Sequence, residues 1–182
     1  MTLPTAYMLR KKHDWRDSCG SVTLTYEQRF LRRKMLQTVQ GERFLVDLEQ
    51  TTSVDDHDAF ELQDGRLIEI HAADENLLQI TGDTLPRLAW HIGNRHTPCQ
   101  IESDRLLIQR DHVIEAMLHH LGASVSEVNE PFLPEGGAYG HGRTHSHEHG
   151  ATLHTHDHSH DHSHAHEHEH EHEHEHEHEH DH

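Results

Sequence analysis

The carboxyl-terminal part of the chain is dominated by histidine, and this limits how much of the protein can fold. Of the 27 histidines, 19 lie between His141 and His182, where Leu153 is the one large apolar residue. Such a segment cannot bury enough apolar surface to offset the entropy that it loses on ordering. We therefore predict a disordered His/Glu-rich tail over 141–182 and a folded body of about 140 residues, enough for two small domains.

Both parts of the chain are acidic. The formal net charge is −18, of which the tail contributes −10 (11 acidic residues and one Arg) and the body −8 (22 acidic and 14 basic residues). This balance favours cations and excludes nucleic acid and anionic membrane surfaces as partners. Since no apolar run is long enough for a signal peptide or a membrane span, and the two cysteines lack a metal-binding spacing, we expect a cytoplasmic protein with reduced thiols.

Residues 1–72 are predicted to form a small all-β domain, either a barrel or two packed sheets. The stretches VTLTY and RFLVDLEQ alternate apolar and polar residues as half-buried strands do. Asp64-Gly65 lies between AFELQ and RLIEI and predicts a hairpin. The basic cluster in RFLRRK is interpreted as a solvent-exposed face or as a docking patch for a partner. It comprises Arg29, Arg32, Arg33 and Lys34.

Residues 73–140 are predicted to form a ferredoxin-like domain of order β-α-β-β-α-β, which makes the whole chain α+β. NLLQI is the first strand and SVSEV the last, and CQIES with RLLIQ form a hairpin. The first helix is expected to have Asp83 as its N-cap and Gly93 as its C-terminal cap. The second is expected to begin at Asp111 and end at Gly122. Their apolar faces are predicted to hold Leu85, Leu88, Ala89 and Ile92, and Val113, Ile114, Met117, Leu118 and Leu121.

The histidine tail indicates binding of divalent metal ions. Imidazole suits zinc, copper and nickel, and flanking carboxylates can hydrogen-bond the second ring nitrogen. Alternate side chains of a straight strand lie roughly 6.5–7 Å apart, so neighbouring histidines share an ion only if the chain curls. The irregular start of the repeat favours a natural metal-binding tail over a purification tag. Its first candidate ligands are His141, His145, His147, His149, His154, His156 and His158.

The motif WHIGNRH is the second candidate metal site. His91 ends the first predicted helix, and Gly93-Asn94 can turn the chain with positive φ, so that His96 emerges from the loop. A loop histidine is often structural or merely solvated. Beside a metal-binding tail, two copies of His96 meeting across a two-fold axis would instead form one site, completed by tail histidines.

Other histidines of the body are weaker candidates. His112 could provide a further site or be an ordinary first-turn residue of its helix. His119-His120, at a helix end, are interpreted as structural or surface residues. His13, His57 and His71 are interpreted as isolated.

The sequence HIGNRH, followed by QIESDRLLIQRDHVIEAMLHHLG, PFLPEGGAYGHG and a His-rich tail, resembles the UreE family of urease accessory proteins. The resemblance implies a nickel metallochaperone that dimerises through its ferredoxin-like domain, with a peptide-binding-like β domain before it. It implies His96 as the interfacial ligand and His112 as a peripheral one, with Arg110 where some members have a second peripheral histidine. It also implies work with the urease GTPase and scaffold proteins to load apo-urease.

Two other functions compete with this one. A general metal-storage protein would act through the tail alone and use the body as a carrier. A metal-dependent hydrolase would need three fixed ligands and a general base, and no HExxH or similar motif is present, so we expect no enzyme. The residues leave the metal open, since zinc and copper should bind as well as nickel.

Overall fold

The computed structural model describes residues 3–136, so the predicted disordered tail lies outside the described residues. This part of the chain forms two sheets and two α-helices, an α+β architecture. The first strands are β1 (Thr5–Arg10), β2 (Gly20–Leu24), β3 (Phe30–Gln37), β4 (Arg43–Ser53), β5 (Ala59–Leu62) and β6 (Leu67–Ala72), with a short 3-10 helix at Glu27–Arg29. The later elements are β7 (Asp74–Thr81), α1 (Leu85–Gly93), β8 (Gln100–Ile101), β9 (Leu106–Gln109), α2 (His112–His120) and β10 (Ser124–Pro131).

The amino-terminal sheet has the strand order β2-β6-β5-β1-β4-β3. The pairs β1/β4 and β2/β6 are parallel and the others antiparallel. All six strands contribute to one core, in which Phe44 and Phe60 are fully buried. Val39, beyond the β3 edge, donates its N–H to the Ser21 carbonyl oxygen at the opposite edge. The sheet therefore curls until its edges meet, closer to the predicted barrel than to two packed sheets.

The hairpin predicted at Asp64-Gly65 is confirmed. β5 and β6 pair antiparallel around it, the Leu62 N–H donates to the Arg66 carbonyl oxygen at 2.8 Å, and Gly65 has φ 84°. Only Gly and a few other residues adopt that left-handed conformation without strain. The turn fixes the register of the two strands, so that Ala59, the first residue of β5, lies opposite Glu69 on β6.

The carboxyl-terminal sheet has the strand order β10-β7-β9-β8, with every pair antiparallel. The element order β-α-β-β-α-β matches the prediction. One face of β7 and β9 packs on both helices, and the alternate side chains Leu77 and Leu107 face the other way. The buried helix residues are Leu88, Ile92, Ile114 and Leu118.

The predicted ends of the helices are right for α2 and wrong for α1. The Asp111 carboxylate accepts from the N–H groups of Val113 and Ile114, and Gly122 has φ 82°, so α2 is capped as predicted. Thr84, not Asp83, occupies the N-cap position of α1, without a side-chain hydrogen bond. Gly93 is the last residue of α1, and Asn94 follows it with an ordinary φ of −65°.

Val113 is also misplaced by the sequence pattern, because its side chain is 56 % exposed and not part of the core face. The other four residues predicted on that face are buried or half-buried, namely Ile114, Met117, Leu118 and Leu121. Val113 lies in the first turn of α2, beside the exposed residues Asp111 and His112.

Phe132 connects the two sheets, and its carbonyl oxygen accepts a hydrogen bond from Arg29 of the basic cluster. Its fully buried ring packs on Leu77 and Leu107 and meets the Tyr26 ring edge-on, with centroids 5.3 Å apart. The Arg29 guanidinium donates to the Phe132 carbonyl oxygen and is only 5 % exposed. The interpretation of Arg29 as a solvated residue is therefore wrong, whereas Arg32, Arg33 and Lys34 are exposed.

Candidate metal centre

The turn after α1 presents His96 at the surface. The N–H groups of Asn94, Arg95 and His96 donate to the carbonyl oxygens of Trp90, Ile92 and Gly93, at 2.9, 3.0 and 2.9 Å. His96 itself has φ 57°, and its side chain is exposed. Sequence reasoning placed the left-handed residue at Gly93-Asn94, which is wrong, because the candidate ligand takes that conformation. For a residue with a Cβ atom the left-handed region costs roughly 1–2 kcal/mol.

The neighbours of His96 hold this turn against the second helix. Arg95 Nε lies 2.9 Å from Met117 Sδ in α2. His91 is half-buried on α1, and its ring meets the exposed Trp90 ring edge-on, with centroids 5.0 Å apart. Ile92, between these residues, is fully buried in the core. The turn is thus carried by a packed helix.

His112 is the first residue of α2 and is exposed. Arg110, two residues before it, forms an ion pair with Glu127 on β10. Both side chains line a shallow surface depression together with His112 and Glu115. Arg110 therefore places a cation, paired with Glu127, in the same depression as His112.

The last described residues run beside the strand that follows this turn. The Leu133 N–H donates to Gln100 Oε1 at 2.7 Å, and the Glu135 N–H donates to the Cys99 carbonyl oxygen at 2.9 Å. Glu135, close to the end of the described residues, therefore lies beside Cys99, which follows His96 by three residues in the sequence. The predicted tail ligands lie outside the described residues. They are His141, His145, His147, His149, His154, His156 and His158.

The Cys99 thiol is a poor ligand despite its position near the turn. Burial, and then the charge of Glu135, raise the pKa of Cys99 to about 11. The thiol therefore keeps its proton at neutral pH, whereas metals bind the thiolate. Histidine remains the donor type that the turn offers.

His57 and His71, interpreted above as isolated, are in contact. Their ring centroids lie 5.5 Å apart, and Asp56 and Glu69 are beside them. Within residues 3–136 this is the one group in which three donors lie close enough to share an ion, and it does not include His91, His96 or His112. The signal was present in the sequence, because the hairpin at Asp64-Gly65 pairs Ala59 with Glu69, and His57 and His71 each lie two residues beyond that pair.

Neither α1 nor α2 is long and apolar enough to cross a membrane.

Comparison with known proteins gives matches along nearly all of the chain. Residues 8–73 match the family model described as UreE urease accessory protein, N-terminal domain, and residues 67–182 match its C-terminal domain. The urease accessory protein UreE of Ruegeria pomeroyi is 64 % identical over 145 residues, which cover 80 % of this chain and 97 % of that protein. The UreE of Cereibacter sphaeroides is 59 % identical over 143 residues, 78 % of each chain. This chain, as its HIGNRH and EGGAYGHG motifs indicate, belongs to the UreE family of urease accessory proteins.

Proposed function

We propose that this protein is a nickel metallochaperone that delivers nickel to apo-urease while the urease metallocentre is assembled. The name of its relatives, urease accessory protein, supports urease as the target. Nickel is the cargo, and zinc and copper compete for the same imidazole donors. The protein acts in the cytoplasm with the urease accessory GTPase and scaffold proteins, and it is not itself an enzyme.

The observation that carries this proposal is the conformation of His96. An exposed histidine held at φ 57° by a hydrogen-bonded turn is in a strained backbone conformation, and such conformations cluster at functional sites. One imidazole makes a poor site. In the proposed homodimer the ferredoxin-like domains meet, and His96 of each protomer binds the same ion across the two-fold axis.

The tail supplies further ligands to the interfacial ion. The described chain ends beside Cys99 and Gln100, close in sequence to the turn at His96. Histidines at the start of the tail can therefore reach the site, and His91 and His112 provide secondary positions. The remaining tail histidines hold additional ions that exchange easily, because many equivalent sites compete with one another. Protonation of imidazole competes with metal, so acidification below about pH 6.5 releases the ions.

Removal of residues 144–182 separates this proposal from metal storage by the tail. Nickel binding to the truncated dimer should be measured by calorimetry, with His96→Ala as the test variant and His119→Ala, an exposed histidine of α2, as the control. We expect about one tightly bound ion per dimer in the truncated protein and in the control, and none with His96→Ala. Loss of all tight binding on truncation alone would leave storage as the function.

Transfer is tested by reconstituting urease from its apo form with abundant nickel. The truncated protein should still support activation, because the tail determines how many nickel ions are held, whereas the turn at His96 transfers nickel to urease. A truncated protein that is folded and dimeric but inactive in this assay contradicts the division of roles.

A further inference from the structure

Four side chains that can bind metal meet at one edge of the amino-terminal core, outside the site described above. Asp56 and His57 lie in the loop between β4 and β5, and Glu69 and His71 lie on β6. Residues two apart on a strand point to the same side of the sheet. Beyond the Ala59–Glu69 pair of the hairpin, the His57 N–H and the Asp58 carbonyl oxygen both bond to Ile70, and the rings of His57 and His71 lie in contact, with centroids 5.5 Å apart.

The distances between these donors fit a single ion after small side-chain rotations. One donor atom each of Asp56, His57 and His71 lies within 4.8 Å of the other two. His57 Nε2 lies 3.3 Å from Asp56 Oδ2. Two ligands of a tetrahedral ion at bond lengths near 2.0–2.1 Å are about 3.3 Å apart, so this pair already has the needed separation.

Glu69 orients the imidazole of His57. Its Oε1 atom lies 2.9 Å from His57 Nδ1, and its Oε2 atom lies 3.6 Å from His71 Nε2. When Nδ1 of a neutral His57 donates to this carboxylate, Nε2 carries the lone pair that can bind a metal on the side of Asp56. This carboxylate–histidine pairing is the one that fixes metal-binding histidines in proteins.

The backbone holds the loop in place before any ion arrives. Asp56 Oδ1 accepts the Ala72 N–H at 2.7 Å, which leaves Oδ2 turned towards His57. The His57 N–H donates to the Ile70 carbonyl oxygen at 2.8 Å, and His57 has φ 66°, a left-handed conformation. The next residue, Asp58, is buried and accepts from Lys11 and from the Asp55 N–H. The loop at Asp56 and His57 therefore loses little further conformational freedom when an ion binds.

We propose that this cluster is a second metal site, which binds a divalent cation of the zinc and nickel class through one oxygen of Asp56 and one nitrogen each of His57 and His71. Two imidazoles and one carboxylate are a donor set suited to such ions. Both histidine side chains are partly exposed, so the ion keeps an open position and exchanges with solvent. The site lies within one protomer and does not rest on the function proposed above.

Trp15 provides a reporter for this site in the full-length protein. Its indole Nε1 donates to the His57 carbonyl oxygen at 3.2 Å. The second tryptophan of the chain, Trp90, packs on His91 beside the other site. Trp90→Phe therefore leaves a fluorophore next to His57, and Trp15→Phe leaves one next to the turn at His96. Nickel chloride is the probe, because bound Ni²⁺ quenches nearby indole fluorescence.

The two test variants preserve the local structure. His57→Asn keeps a residue that tolerates the left-handed conformation. His71→Phe keeps an aromatic ring for the contact with His57 while removing the nitrogens. His13→Asn, an exposed histidine near Trp15 in sequence, is the matched control. Asp56→Asn replaces either test variant that fails to fold by circular dichroism.

In the Trp90→Phe background we expect nickel to quench Trp15 in a saturable phase that remains with His13→Asn. This phase should disappear with His57→Asn and also with His71→Phe. In the Trp15→Phe background, quenching of Trp90 should be unchanged by both test variants. Equal quenching of Trp15 in the parent and both variants, loss in only one of them, or absence of quenching in the parent would each overturn the proposed site.

Discussion

His57 and His96 share a backbone conformation but lie in different surroundings. Both are left-handed, with φ 66° and 57°, and they are the two residues other than Gly with positive φ within 3–136. His57 lies beside Asp56, Glu69 and His71, whereas His96 is exposed in the turn after α1 and is not part of that group. The proposed site at His57 is completed within one protomer, whereas the proposed site at His96 needs a second protomer.

The largest predicted effect concerns the contact between the amino-terminal region and the carboxyl-terminal sheet. Phe132 packs on both Tyr26 and the carboxyl-terminal sheet, and Phe132→Ala should lower the free energy of unfolding by about 3–5 kcal/mol. Urea unfolding measures this change. Leu133→Ala, at an exposed neighbour, should change it by less than about 0.5 kcal/mol. Similar effects of the two substitutions would mean that the regions are not joined through this ring.

The second prediction removes the ligand at the turn. His96→Ala should weaken the tightest nickel binding of the truncated dimer more than about 100-fold, since even removal of a group that only supports a ligand costs 10–100-fold. Calorimetry with His96→Asn should give the same loss, because Asn keeps the left-handed turn but not the imidazole. Retained tight binding in either variant would place the ion elsewhere.

The third prediction concerns the support of His57. Glu69→Gln should weaken nickel binding at the Asp56–His57–His71 cluster by about 10-fold, because a neutral amide orients Nδ1 but makes the imidazole less basic. The midpoint of Trp15 quenching in the Trp90→Phe background gives this change. The affinity of the turn at His96 should not move. A shift at both sites would show that they are coupled and not separate.

The smallest expected effect tests the backbone strain that the two histidines share. His96→Gly should be more stable than His96→Ala by about 1 kcal/mol, and the same should hold for His57→Gly against His57→Ala, since Gly adopts positive φ without steric cost. Both pairs are compared by the free energy of unfolding in urea. Equal stability of Gly and Ala at either position would mean that the left-handed conformation is not held there.

Sequence reasoning succeeded where local chemistry decides the structure. Asp64-Gly65 forms its hairpin and Asp111 caps α2, because each effect acts within a few residues. It failed where distant segments meet. Arg29 is buried by Phe132, which lies over a hundred residues later, and nothing in RFLRRK distinguishes Arg29 from its exposed neighbours.

The candidate sites show the same difference between local effects, which the sequence predicts, and contacts between segments, which it does not. The HIGNRH motif pointed to His96, but hydrogen bonding of the whole turn selects which residue becomes left-handed, and the motif misplaced it at Gly93-Asn94. The proximity of His57 and His71 follows from the hairpin, which pairs Ala59 with Glu69 two residues away from each histidine. Counting outward from the hairpin turn would have found it, whereas inspection of each histidine by itself did not.

The central claim is that His96, not the tail, provides the defined nickel site. Crystals of the nickel-loaded full-length protein should be measured with X-rays on either side of the nickel absorption edge. We predict an anomalous peak within bonding distance of the His96 imidazoles of two protomers. A map with nickel bound elsewhere and no peak at His96 would contradict this account.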